Sequence, residues 1–297
     1  MKLGTVLYQG RERLAALLEG DQVCLLPEAL GDMVSLIEQG QAGVDAAKAA
    51  VKDASQLVAL ADVAVCAPIR RFHRDVLCTG WNYWDHFYES EGKREGQDVP
   101  KPDAPTFFTK GPDTVIGPYD DIAYDEAVSE KWDYEAEIVV VIGRTGRSIP
   151  VESAMDHVFG YCLANDISQR DLQRRHGGQW LKGKSIDRSM PLGPWITLRD
   201  DVDLPGVMLD CELNGELMQH ASASEMAFSI SELIAELSMG MTVRAGDVLL
   251  TGTPSGIGNA RTPPVRLKAG DVVKVRASGL GELVNTLAPV DLKSYSH

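Results

Sequence analysis

The segment Asp133-Tyr134-Glu135-Ala136-Glu137-Ile138-Val139-Val140-Val141-Ile142-Gly143 places three acids at alternate positions ahead of a β-branched run. Side chains in a strand alternate between faces, so Glu135 and Glu137 point the same way, about 7 Å apart along the backbone. Two carboxylates on one face repel each other unless a cation or a proton lies between them. Oxygen ligands suit Mg²⁺, Mn²⁺ or Ca²⁺ rather than zinc. The same spacing also admits a solvated strand edge with ordinary surface acids. A third acid, Asp166, follows an apolar, strand-like run and precedes a helical turn, where it could equally be the helix's N-cap. Arg170 and Gln173 lie four and seven residues later, on one helical face, toward a pocket or toward solvent.

Elements that could position these groups fall into two parts. Residues 1–68 read as a small α+β unit, with strands at 2–8, 14–18 and 22–26 broken by turn signals at Gly10 and Gly20-Asp21. Helices follow near 33–39 and 44–57, and Cys66-Ala67-Pro68 closes the unit. Residues 69–297 change to short β-like runs with frequent Gly and Pro: 76–79, 106–110, 138–142, 195–198, 207–213, 248–251, 272–277 and 281–286. A helix over 229–239 carries a capping box, Ser229 with Glu232 three residues on. Ala-Gly-Asp-Val occurs at Ala245 and again at Ala269, each time as a tight turn feeding a strand. Strands outnumber helices without regular alternation, which points to a β-rich α+β fold and away from a Rossmann fold or a barrel.

The 297 residues, 44% hydrophobic and 24% charged, suit a globular chain with a large core. A net charge of −14, from 29 basic and 43 acidic side chains, opposes binding to nucleic acid or to anionic membranes. The five cysteines (Cys24, Cys66, Cys78, Cys162, Cys211) form no CxxC pair, which argues against a disulfide framework or a zinc site. The N-terminus carries Arg11, Glu12, Arg13, Glu19 and Asp21 where a signal peptide needs an apolar stretch. The longest nearly apolar run, 57–69, contains Asp62 and is too short to span a bilayer. A cytoplasmic protein is expected.

Several segments together resemble the fumarylacetoacetate hydrolase family. They are Gly80-Trp81-Asn82-Tyr83-Trp84-Asp85-His86-Phe87-Tyr88-Glu89, Asp133-Tyr134-Glu135-Ala136-Glu137, Asn165-Asp166-Ile167-Ser168-Gln169-Arg170-Asp171, Gly183-Lys184-Ser185, Pro191-Leu192-Gly193-Pro194 and Thr251-Gly252-Thr253-Pro254-Ser255-Gly256-Ile257-Gly258. They occur in family order between positions 76 and 286. The resemblance implies a catalytic domain of mixed β-roll or sandwich type, usually a homodimer, with Mg²⁺, Mn²⁺ or Ca²⁺ held by Glu135, Glu137 and Asp166. The family's His–Glu pair maps to His86 and Glu89, whose i, i+3 spacing brings them together on one helical turn as a base and the group that orients it. Lys184 matches the active-site lysine, a point charge for a developing oxyanion, with Lys182 as a competitor. Thr253 matches a threonine that contacts the substrate carboxylate; otherwise it is a turn hydroxyl. Arg170 and Gln173 match residues that hold or polarise the substrate. His73, His157, His176, His220 and His297 match no catalytic position. Asn82 stands nearest to the additional metal-binding aspartate of the eukaryotic hydrolases, which places the chain with the bacterial acylpyruvate and oxaloacetate decarboxylase branch.

The resemblance implies a small 2-oxo acid substrate and enolate chemistry. The leading expectation is hydrolysis of the C–C bond of a 2,4-dioxo acid, with His86 and Glu89 activating water, to give pyruvate and a carboxylic acid. Oxaloacetate decarboxylation and a 2-hydroxymuconate-type isomerisation need the same pocket. A non-catalytic metal and dicarboxylate binding protein would lack a base, lysine or ligand, and none is lacking here. The Glu-, Lys- and Gly-rich stretch 88–101 reads as a lid.

Overall fold

The computed structural model describes residues 1–54, 56–93 and 99–294. Its central strand, Ala136–Ile142, is buried at every position. Alternation sends Ile138, Val140 and Ile142 into one apolar cluster and Val139 and Val141 into another. A strand buried on both faces reads as a continuous apolar run, as this one does. Val158–Asn165 and Val248–Leu250 pair with it antiparallel on either side. Beyond Val158–Asn165 the sheet runs through Met190–Leu198 to Lys2–Tyr8, Arg11–Leu17, Gln22–Leu25 and Leu57–Ala59; beyond Val248–Leu250 it runs to Val76–Gly80 and Thr106–Lys110. Among the described residues this sheet has 12 strands.

The helices are α1 (Met33–Glu38), α2 (Gln41–Asp53), α3 (Trp84–Glu89), α4 (Arg170–Arg175) and α5 (Ile230–Ser238). A second sheet of five strands is ordered Glu216–Ser222, Met208–Leu213, Val272–Ala277, Gly281–Pro289 and Ile122–Tyr124. Its apolar side chains and those of α5 share one cluster with Ile138, Val140 and Ile142. Helix α1 and the start of the chain pack on the Val139 and Val141 side. The architecture is the expected β-rich α+β sandwich. No described helix is long and apolar enough to cross a membrane.

Both Ala-Gly-Asp-Val segments do the same thing. Asp247 accepts from the Arg244 N–H and Asp271 from the Lys268 N–H, each closing the turn that starts a strand. The helix expected over 44–57 stops at Asp53, because Ala54 takes a left-handed conformation (φ 46°), and Leu57 opens a strand instead. Several two-residue strands, and two longer ones, Ile122–Tyr124 and Glu216–Ser222, also went unpredicted. The second is half polar and rich in helix formers, but its signal was present: Asn214-Gly215, both at positive φ (52° and 85°), makes the hairpin with Met208–Leu213. The ladder between Lys2–Tyr8 and Met190–Leu198 carries the sheet without interruption past position 68.

Helix α5 supplies a direct test of this core. Ser229 and Glu232 exchange capping hydrogen bonds, and Leu233 is fully buried. Chemical denaturation of Ser229→Ala is expected to show a loss of about 1 kcal/mol, and of Leu233→Ala a loss of about 2–5 kcal/mol.

Candidate active site

Neighbouring strand ends build the site. The register Glu137↔Ala164 and Ala136↔Asn165 places Asp166 beside the two glutamates, although it lies far from them in sequence. The pairing Val139↔Leu250 brings the loop that follows Val248–Leu250, residues 251–258, to the same end. Val76–Gly80 runs parallel to Val248–Leu250 and delivers α3, with His86 and Glu89, beside that loop.

Oxygen atoms of Glu135, Glu137 and Asp166 all lie within 4.8 Å of one another, and all three residues are buried. The two surface readings of these acids therefore fail. Asp166 caps no helix; α4 starts at Arg170, and the Asp166 carboxylate takes Lys110 Nζ at 2.6 Å and Lys184 Nζ at 2.7 Å. Lys184 also reaches Glu135 at 2.6 Å. Arg170 holds Glu135 at 2.6 Å, Asp133 at 2.9 Å and Gln173 at 3.2 Å. Three buried carboxylates without zinc's preferred nitrogen or sulfur donors fit a hard divalent cation such as Mg²⁺ or Mn²⁺.

Burial and neighbouring charge pull the carboxyls in opposite directions. Burial pushes Glu135 up, but the Lys184 and Arg170 charges outweigh it and hold the carboxyl well below the usual range. Among the described residues, Glu137 forms no ion pair of its own. Burial, then the charges of Asp166 and Glu135, push its carboxyl well above the usual range, and the Lys184 charge and the Gly252 N–H at 2.6 Å only partly offset them. Burial depresses Lys184, but Asp166 and Glu135 reverse that and raise it.

The His86–Glu89 pair forms as its spacing suggests, with Nδ1 and Oε1 2.8 Å apart on α3. The other oxygen of Glu89 accepts from the Gly256 N–H at 2.8 Å. His86, Glu135, Glu137, Arg170, Gln173, Lys184 and Thr253 line one pocket. Lys182 is exposed and takes no part in it. Gly183, between the two lysines, has no room for a side chain, since a Cβ there would come 2.2 Å from the Gln173 nitrogen. That close approach seats Lys184 against α4. The Thr253 hydroxyl donates to the Ala136 carbonyl and accepts from Gln219, so its proton is committed to the backbone. Asn82 is likewise a structural tie, bonding Thr251 and Phe228. Residues 94–98 of the expected lid, and His297, lie outside the described residues.

Sequence reasoning missed three contributions. Lys110 is fully buried against Asp166; the available signal was a lysine ending the aromatic strand Thr106–Lys110. Asp133, the first of the alternating acids, binds the N–H groups of Gly258 and Asn259 as well as Arg170. Gln219, on the unpredicted strand, ties Ala136 to Thr253 and Pro254.

Residues 75–288 match the family described as fumarylacetoacetate (FAA) hydrolase C-terminal. The oxaloacetate tautomerase YisK of Bacillus subtilis (strain 168) is 43% identical over 234 residues, 78% of this chain and 76% of that protein. The human mitochondrial oxaloacetate tautomerase FAHD2A is 40% identical over 255 residues, 85% of this chain and 78% of that one. Among solved structures, a fumarylacetoacetate hydrolase from psychrophilic Exiguobacterium antarcticum superposes with a TM-score of 0.80 at 33% identity, covering 98% of this chain and 100% of that chain.

The Lys110–Asp166 pair makes a measurable demand. Lys110→Ala takes one of the two ammonium partners from the buried Asp166 carboxylate and is expected to lower stability in denaturant titrations by about 1–3 kcal/mol. Exposed Lys182→Ala is expected to stay within about 0.5 kcal/mol of the parent.

Proposed function

Because the chain belongs to the fumarylacetoacetate hydrolase family and is an enzyme of it, we propose that it interconverts the keto and enol forms of a small 2-oxo acid of the oxaloacetate kind. One observation carries the reading: a buried cluster of three carboxylates shares a pocket with an oriented His–Glu pair and a buried lysine. The oxaloacetate tautomerases at 43% and 40% identity support the choice of reaction.

Glu135, Glu137 and Asp166 would hold a divalent cation, which supplies a Lewis acid toward the substrate's oxygens. Glu89 engages His86 Nδ1, so Nε2 is the nitrogen left to exchange a proton with substrate. The Gly256 N–H fixes the outer oxygen of Glu89 and thereby the ring. His86 takes the proton from C3 and delivers it to the C2 oxygen, and the Lys184 ammonium offsets the negative charge that gathers there between the two transfers. Arg170 and Gln173 hold the substrate's carboxylate side of the pocket.

A second reading keeps the same groups. With a 2,4-dioxo acid, His86 would deprotonate a water that attacks the C4 carbonyl; the C3–C4 bond then breaks to give a carboxylic acid and the enol of pyruvate. The doubly anchored His86–Glu89 pair, built to take a proton from a neutral donor, favours retaining it. The likeness to the Exiguobacterium hydrolase points the same way. Decarboxylation of oxaloacetate would use the pocket without attacking water.

Enol disappearance of oxaloacetate and cleavage of an acylpyruvate, measured in parallel with Mg²⁺, Mn²⁺ or chelator, separate these outcomes. The expected result is chelator-sensitive tautomerisation; acylpyruvate cleavage without it would replace this reading with hydrolysis. Glu135→Ala is expected to abolish metal-dependent turnover. His86→Ala is expected to bind Mg²⁺ normally and to lose about 10²–10⁴ in rate, and an unchanged rate would remove His86 as the base.

A further inference from the structure

We propose that the Thr79 hydroxyl is a substrate-binding donor that holds an oxygen of the 2-oxo acid head, an inference that rests on reading the pocket as a 2-oxo acid site. Alternation along Val76–Gly80 sends Cys78 into the apolar cluster beneath the sheet and leaves Thr79 lining the pocket. Thr79 is 1% exposed, and its hydroxyl meets no hydrogen-bond partner among the described residues. A strand threonine has no carbonyl one turn back to take its proton, as a helical one does. Burying a hydroxyl unpaired is costly, and an oxygen of a bound ligand removes that cost.

Three other donors that line the pocket already have partners within the protein. Thr253 gives its proton to Ala136. Lys184 already binds Glu135 and Asp166, and Arg170 already binds Asp133, Glu135 and Gln173. The position of Thr79 selects the head of the substrate. Gly252, whose N–H holds Glu137, packs so closely that a Cβ on it would lie 3.3 Å from the Thr79 carbonyl. Thr79 therefore sits at the carboxylate-cluster end. Trp81, two residues on, continues into an aromatic wall with Trp180 at a ring separation of 5.0 Å and Phe108 a further 5.1 Å from Trp180.

Oxalate presents the two-carbon head without a tail and is the probe. Calorimetric titration of the Mg²⁺-loaded protein with oxalate is compared for wild type, Thr79→Val, which keeps the shape, and Thr79→Ser, which keeps the hydroxyl. Thr79→Val is expected to weaken oxalate about 10-fold or more, with Mg²⁺ affinity unchanged. Thr79→Ser is expected to stay within about threefold of wild type. With oxaloacetate, Thr79→Val should raise KM while leaving kcat within about threefold. Equal oxalate affinity in wild type and Thr79→Val overturns the assignment, as does loss of Mg²⁺ binding by Thr79→Val in the absence of oxalate. Wild type that binds no oxalate at all overturns the reading of the pocket as well, which tells the two failures apart.

Discussion

Three carboxylates confined within 4.8 Å of one another, away from water, repel each other by about 3–4 kcal/mol per pair at an effective dielectric near 20. Much of the surrounding structure answers that repulsion. Lys184 sits between Glu135 and Asp166, Lys110 closes the far side of Asp166, and Arg170 spans Glu135 and Asp133. With Asp133 included, four acids face three permanent cations, which leaves one negative charge uncompensated. That remainder falls on Glu137, the one acid of the four given only a backbone N–H, and its carboxyl is pushed upward accordingly. A divalent cation would turn the balance from one negative charge to one positive, which suits the capture of an anionic 2-oxo acid.

The loop at residues 251–258 holds the cluster's parts in register. Its backbone N–H groups grip Glu137 through Gly252, Glu89 through Gly256 and Asp133 through Gly258. One short segment thus positions a candidate metal ligand, the carboxylate that orients His86, and the acid that holds Arg170. Because it follows a strand paired on both sides, its place is set by the central ladder rather than by its own flexibility. Gly252 can lie there at φ 96°, a conformation that L side chains rarely adopt.

Legibility in the sequence tracked where each interaction is encoded. Glu135 and Glu137, two residues apart, and His86 and Glu89, three apart, are pairs whose geometry follows from local periodicity, and both pairs were readable. Asp166 needed the family resemblance, because only strand register brings it to the glutamates. Lys110 was invisible, since its partner lies 56 positions away and a lysine after Phe107-Phe108-Thr109 looks like a strand end meeting solvent. The grip of the 251–258 loop escaped for a different reason: it acts through N–H groups, which every residue but proline carries. The Thr253 side chain, marked by the family resemblance, gives its proton to the Ala136 carbonyl. On the scale of the fold, α5 and strands such as Thr106–Lys110 and Val272–Ala277 were read nearly to their ends, Met190–Leu198 was read only in its last four residues, and the end of α2 depended on a single left-handed alanine.

The first strand of the chain is stitched to Met190–Leu198, which is in turn stitched to the strand carrying Asn165 next to Asp166. The opening segment thus supplies strands to the same sheet whose central strands reach the site. Trimming the chain to the family-matched stretch would strip those strands and leave the donors and acceptors around Ile196–Leu198 bare along a raw edge. Such an edge recruits other strands, so the shortened protein would answer its loss by sticking to copies of itself.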